Sequence, residues 1–168
     1  MKLMLADGHT LENDGTDSTI TTPRGPVRFS DLSETQLQSL DLLASGVSER
    51  DLIAALPEVE EQIWARMIVN RLISLAILSR EHDIGIRIEV IGDGYQANGR
   101  KIGPDQPFRL SKFSYLRRDA DSLVLESPRS LSRLILTDAR GVLPILDDIA
   151  APTTLDEITE RGNNSEEL

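Results

Sequence analysis

Ser18-Thr19-Ile20-Thr21-Thr22-Pro23-Arg24 returns far downstream as Leu123-Val124-Leu125-Glu126-Ser127-Pro128-Arg129. Each run is rich in β-branched or aliphatic residues and closes on Pro-Arg, so each reads as a strand entering a turn. The echo continues into helical patterns. Leu37, Leu40 and Leu43 fall on Leu143, Leu146 and Ile149, and Ser48 and Leu52 on Thr154 and Ile158, all at one constant shift. Residues 14–56 therefore read as strand, turn, strand, helix, turn, helix, and residues 123–161 as the same series. A repeated unit of this kind predicts an α+β chain of tandem winged-helix-like modules, each a small antiparallel sheet plus a helix bundle. Such modules usually bind a partner and rarely do chemistry.

Around this core, Lys2 to Leu5 reads as a first strand, with Asp7-Gly8 and Asn13-Asp14-Gly15 as turns. Val27 to Ser30 is a short strand. Ser33 caps a helix that Gly46 ends, and Ser48 caps the next, with Asp51 three residues on. A third helix is expected over 58–79, with Glu58, Glu60 and Glu61 at its start and Arg80 at its end. Residues 84–91 alternate as a half-buried strand, and Gly92-Asp93-Gly94 turns it into a hairpin partner at Tyr95-Gln96-Ala97. The expected division is a first module with a wing hairpin over 1–98, a linker over 99–109, a second, shorter module over 110–161, and a frayed tail over 162–168. In the second module, Asp138 caps one helix and Thr153 or Thr154 another. That module lacks a third helix.

Composition narrows the function. Hydrophobic residues make up 39% of the 168 and aromatics only 4%, so the core is built from Leu, Ile and Val. Two small modules each bury little surface, which favours packing them together. A formal net charge of −10 argues against nucleic acid and anionic membrane as main partners. The absence of cysteine removes disulfides, thiolate metal sites and a cysteine nucleophile. It fits a cytoplasmic protein. No signal peptide or membrane-spanning run is visible in the sequence.

Catalytic material is sparse. His9 falls in a turn and His82 at the expected end of the third helix, neither in a metal-ligand spacing. Asp147-Asp148 and Glu60-Glu61 are adjacent pairs, so on a helix they point to different sides. Gly92-Asp93-Gly94 does not open a helix and cannot cradle a phosphate. No catalytic residue, metal or cofactor is expected. DNA recognition through the third helix meets three carboxylates where phosphates would lie. That helix is apolar nearly all round: with Ile68, Leu72 and Leu75 facing the core, Trp64, Met67, Ile73 and Ile77 need a second contact.

Leu110-Ser111-Lys112-Phe113-Ser114-Tyr115-Leu116-Arg117-Arg118, followed by Leu123-Val124-Leu125-Glu126-Ser127-Pro128, resembles the N-terminal region of SagB-type azoline dehydrogenases. These are flavin enzymes of ribosomal-peptide natural product pathways. Pro152-Thr153-Thr154-Leu155-Asp156-Glu157-Ile158 is similar to the end of that region. The first copy resembles the small module that binds leader peptides in these pathways, the precursor-peptide recognition element. The chain departs from the enzymes in two respects: no nitroreductase-like flavin domain follows, and no arginine-serine cluster offers to hold a flavin phosphate. The expectation is the recognition part alone.

The resemblance implies that a leader peptide lies between the third strand and the third helix. Carried onto this sequence, Val27, Arg28 and Phe29 would face Arg66, Met67, Asn70 and Ile73. The implied partners are a precursor leader peptide and a modifying enzyme, a cyclodehydratase or a flavin dehydrogenase. A homodimer stays open. Two other readings stand beside this one: a scaffold or dimerisation part of an azoline dehydrogenase, and an acidic winged-helix transcriptional regulator.

Overall fold

The structure, a computed structural model, describes residues 1–92, 95 and 103–164, with backbone alone over 161–164. Gln96 and Ala97 of the expected partner strand, residues 99–102 of the expected linker and residues 165–168 of the expected tail lie outside the described residues.

The repeat is visible as two three-stranded meanders. In the first copy β2 (Thr10–Asp14), β3 (Asp17–Thr22) and β4 (Gly25–Phe29) form an antiparallel sheet of their own. In the second, β8 (Tyr115–Asp119), β9 (Ser122–Glu126) and β10 (Ser132–Leu136) repeat it. Ile20 opposite Val27 is matched by Leu125 opposite Leu134, and Ser18 opposite Phe29 by Leu123 opposite Leu136. Helices follow each meander: α1 (Glu34–Ser45), α2 (Glu49–Ala54) and α3 (Val59–Ser74) after the first, α4 (Ala139–Asp148) and α5 (Leu155–Asn164) after the second. The chain is thus an α+β protein with antiparallel sheets and five helices among the described residues.

Local chemistry sets the helix ends. Ser33 and Gln36 form a reciprocal capping box at α1, and Gly46 closes that helix at φ 87°. Ser48 accepts from the Asp51 backbone N–H at α2. The Asp138 carboxylate accepts from the N–H groups of Arg140 and Gly141 at α4. Thr154 and Glu157 form a capping box at α5.

The third helix is shorter than its apolar pattern suggests. It ends at Ser74, because Ala76 takes the left-handed conformation at φ 60° and the Ile77 N–H reaches back to the Leu72 carbonyl. The chain then enters β6 (Leu78–His82). Arg80 and His82, expected at a helix end, are strand residues. Leu78 pairs with Leu5 of β1 (Lys2–Leu5), and an apolar run of this length does not by itself separate helix from strand.

β6 turns through Gly85 into β7 (Ile86–Val90), and β7 pairs antiparallel with β10. A seven-stranded sheet results, ordered β5-β1-β6-β7-β10-β9-β8, with β5 (Val47–Ser48) at one edge. The two copies therefore share one sheet. Gly85 sits at this joint with φ 79°, and its carbonyl accepts from the N–H groups of Thr137 and Asp138. A Cβ there would collide with Asp138.

Two cores lie on the helix side. The larger gathers Leu3, Ile20, Leu40, Leu43, Leu52 and Leu72 with their neighbours. The smaller is built on Leu125, Leu136 and Val142, with Ile86 of β7 packed against it. On the opposite face of the shared sheet runs a chain of ion pairs. Asp7 meets Arg87 at 2.8 Å, and Glu89 lies 3.6 Å from Arg87 and 2.9 Å from Arg133. Arg133 reaches Asp119 at 3.4 Å, Asp119 meets Arg117 at 3.1 Å, and Arg117 meets Glu126 at 2.8 Å. The strand expected over 84–91 is confined to Ile86–Val90: Ile84 lies in the turn and is 56% exposed, and Glu89 is buried along with Val90, at 8% exposure, because these arginine stems cover it.

Candidate peptide-binding surface

β4 pairs with β3 on one side and with nothing on the other among the described residues. Its outward groups follow from Pro26. A residue without an N–H cannot hold a doubly bonded position opposite Thr21, so the bonded pairs are Gly25, Val27 and Phe29 with their β3 partners. The Arg28 N–H and C=O then point outward. An unpaired edge of this kind accepts an added strand.

Side chains alternate across β4. Val27 and Phe29 are half-buried and pack onto the larger core, as do Trp64 and Ile68 of α3. Arg28 points to the other face, into a cleft with Glu12, Asn13, Asp14, Asp17 and Thr19. The expectation that the Arg28 side chain faces α3 fails on this alternation, since Val27 and Phe29 cannot turn inward without sending Arg28 outward.

On α3 the core stripe is Ala65, Val69, Leu72 and Ile73. Ile73, expected in a ligand groove, is 2% exposed and belongs to that core, as does Ile77. The opposite side of the helix carries a shallow groove of about 600 Å³. Its described lining is Trp64, Met67, Ile68, Asn70, Arg71 and Ser74. Met67 and Asn70 were read from the sequence; Arg66 is exposed but stands off this lining. Met67 is 67% exposed and Ile63, one turn before it, 54%. Such large apolar side chains in water on one helix stripe mark a contact surface. Trp64 is one of the residues that the sequence left in need of a second contact, and Arg71 and Ser74 could have been found from their spacing of four and seven residues from Met67.

Acidic groups crowd the start of α3, with Glu58 at the cap and Glu60 and Glu61 in the first turn. Among the described residues no group of three or more His, Cys, Asp or Glu could hold a metal ion, and no helix is long and apolar enough to cross a membrane.

A second exposed region lies on the shared sheet. Phe113 is exposed between Lys112 and Arg129, with the guanidinium carbon 4.3 Å from the ring centre, a cation–π contact. Tyr115 and Leu116 of β8 are exposed beside it.

Residues 108–167 match the family model of the cyanobactin oxidase ThcOx. The match links this part of the chain to oxidases of ribosomal-peptide natural product biosynthesis. It takes in the whole second meander with α4 and α5, and both of the segments that carry the family resemblance. The first meander and α1 to α3 lie outside it. No curated protein matches the chain.

Proposed function

We propose that the chain binds the leader segment of a ribosomally made precursor peptide and presents the rest of that peptide to a modifying enzyme, itself doing no chemistry. The observation that carries this reading is the open β4 edge in the same module as the exposed apolar stripe of α3. The ThcOx match supplies the pathway context. The leader would add to β4 as an extended strand through the backbone of Arg28, with apolar side chains turned toward Val27, Phe29, Trp64 and Met67. Its contribution to the reaction is effective concentration: a tethered substrate meets the enzyme's site far more often than a free one. The partner enzyme is a flavin dehydrogenase of the SagB type or a cyclodehydratase, and the compartment is the cytoplasm.

A second reading has its own support. The family match falls on the second copy, where Phe113, Leu116, Leu143 and Leu155 are exposed. A scaffold or dimerisation role within an azoline dehydrogenase would use that surface and bind no peptide. The regulator reading fits poorly with the carboxylates at the start of α3.

Anisotropy of a fluorescent leader peptide, taken from the precursor encoded beside this chain, separates these readings. Micromolar or tighter binding is expected. Met67→Asp places a charge on an exposed apolar position and should weaken binding at least about tenfold while leaving thermal unfolding nearly unchanged. Unchanged affinity in this variant would remove α3 from the site.

A further inference from the structure

We infer that the chain takes one peptide, not two: the strand-accepting edge of the second copy is already filled by the chain's own β7, which leaves the β4 edge of the first copy to accept a peptide. This rests on the leader-binding reading above and names the copy that serves it.

Val27 and Phe29 of β4 occupy, in the first meander, the places of Leu134 and Leu136 of β10 in the second. The edge of β4 is open among the described residues, whereas the edge of β10 carries β7 along all five of its residues. Ile86 lies opposite Leu136 and Ile88 opposite Leu134. Arg87 and Glu89, between and beyond them, turn to the other face, where Glu89 meets Arg133 at 2.9 Å. The second copy is thus complemented by a strand from the first, and the ion pairs at Glu89 hold that strand in place.

β7 also describes what the open edge fits. Transposed to β4, a bound segment is extended, runs antiparallel, and carries apolar residues two apart, opposite Phe29 and then Val27. Pro26 offers no N–H, so pairing is confined to the Arg28 end of the strand. Antiparallel addition fixes the polarity. The segment enters beside Phe29 and leaves beside Gly25, at the hairpin tip Thr22-Pro23-Arg24. That tip lines a cleft of about 310 Å³ together with Asp7, Glu89, Ile91 and Arg133, at the joint between the copies. The downstream part of the peptide therefore emerges toward the half that matches the oxidase family.

Hydrogen exchange of the full chain, with and without the same synthetic leader peptide, tests this, with calorimetry giving the stoichiometry. The expected result is one peptide per chain, exchange at the Arg28 amide slowed by about tenfold or more, and no change over residues 132–136, whose amides are already held between β7 and β9. Because the chain has no cysteine, Arg24→Cys and Ser30→Cys each take a single spin label. The peptide's C-terminal end should lie nearer the label at position 24. Two peptides per chain, or peptide-dependent change over 132–136 with none at Arg28, would overturn the one-site inference while leaving leader binding intact. No binding at tens of micromolar peptide would overturn the leader-binding reading and this inference with it.

Discussion

β4 and β10 hold the same place in two copies of one meander, and they differ in what lies beyond them. β10 is an interior strand with β7 on its free side; β4 ends its sheet. An interior strand has its backbone bonded on both sides and contributes rigidity. An edge strand keeps bonding capacity for a partner, at the risk of pairing with the wrong one. Pro26 and the short length of β4 limit that risk. Duplication has thus yielded one copy whose third strand is covered and one whose third strand stays open among the described residues.

The cores differ in the same sense, and the largest expected effect tests this. Leu72 is 1% exposed within the large first core, and Leu136 is 4% exposed within the small second one. Truncating a buried leucine costs about 2–5 kcal/mol, rising with the cavity that neighbours fail to close. Leu72→Ala should fall at the upper end and Leu136→Ala at the lower, as measured by urea unfolding. Equal losses would mean that the second copy is as tightly packed as the first.

Next in size is the joint. Glu89→Ala leaves Arg133 and Arg87 without the carboxylate they share. Hydrogen bonds to charged groups are worth about 1.5–3 kcal/mol, and the partial exposure of Arg133 places this loss toward the lower figure. Exchange over 132–136 should accelerate in Glu89→Ala while the amides of β2 and β3 hold. A uniform acceleration would show the two halves unfolding as one unit rather than parting at β7.

The caps give a smaller comparison. Ser33→Ala at α1 and Thr154→Ala at α5 each remove a side-chain acceptor from a capping box, worth typically about 1 kcal/mol. The α1 loss should appear in global unfolding, since Leu40 and Leu43 of α1 lie in the large core. The α5 loss should appear mainly as local fraying, read by exchange at 155–160.

These caps were legible in the sequence because a cap is local: Ser33, Ser48, Asp138 and Thr154 each sit within three residues of the amide they satisfy. The internal repeat was legible for the same reason, as the spacing of Leu37, Leu40 and Leu43 survives in Leu143, Leu146 and Ile149. The β7–β10 pairing was not, since it joins residues far apart along the chain and alternation at 84–91 names no partner. The phase of α3 was hidden by its apolar residues on every side, so Ile73, expected in the groove, lies in the core, and Ile68, expected in the core, lines the groove. The outward turn of Arg28 was available, however, because its two apolar neighbours settle the side it takes.

The smallest effect lies at the far edge of the shared sheet. Glu126 accepts from Arg117 and from the Tyr115 hydroxyl at 2.7 Å, and these bonds hold its pKa below the usual carboxylate value. The same bond to Glu126 raises the pKa of Tyr115. A carboxylate whose folded pKa is depressed contributes stability above its unfolded pKa and loses it as pH falls through the folded one. The wild-type chain should therefore be slightly more stable than Glu126→Gln at neutral pH, and the gap should close on acidification below the ordinary glutamate range. Thermal unfolding of both proteins across that interval measures the gap. Because the group is only half-buried and its partner Arg117 is more open to solvent, added salt should shrink the gap at neutral pH as well. A gap that persists in acid would mean that Glu126 acts through packing rather than charge. In that case the ion pairs running from Asp7 to Glu126 would hold β8 no more firmly than an ordinary polar face does.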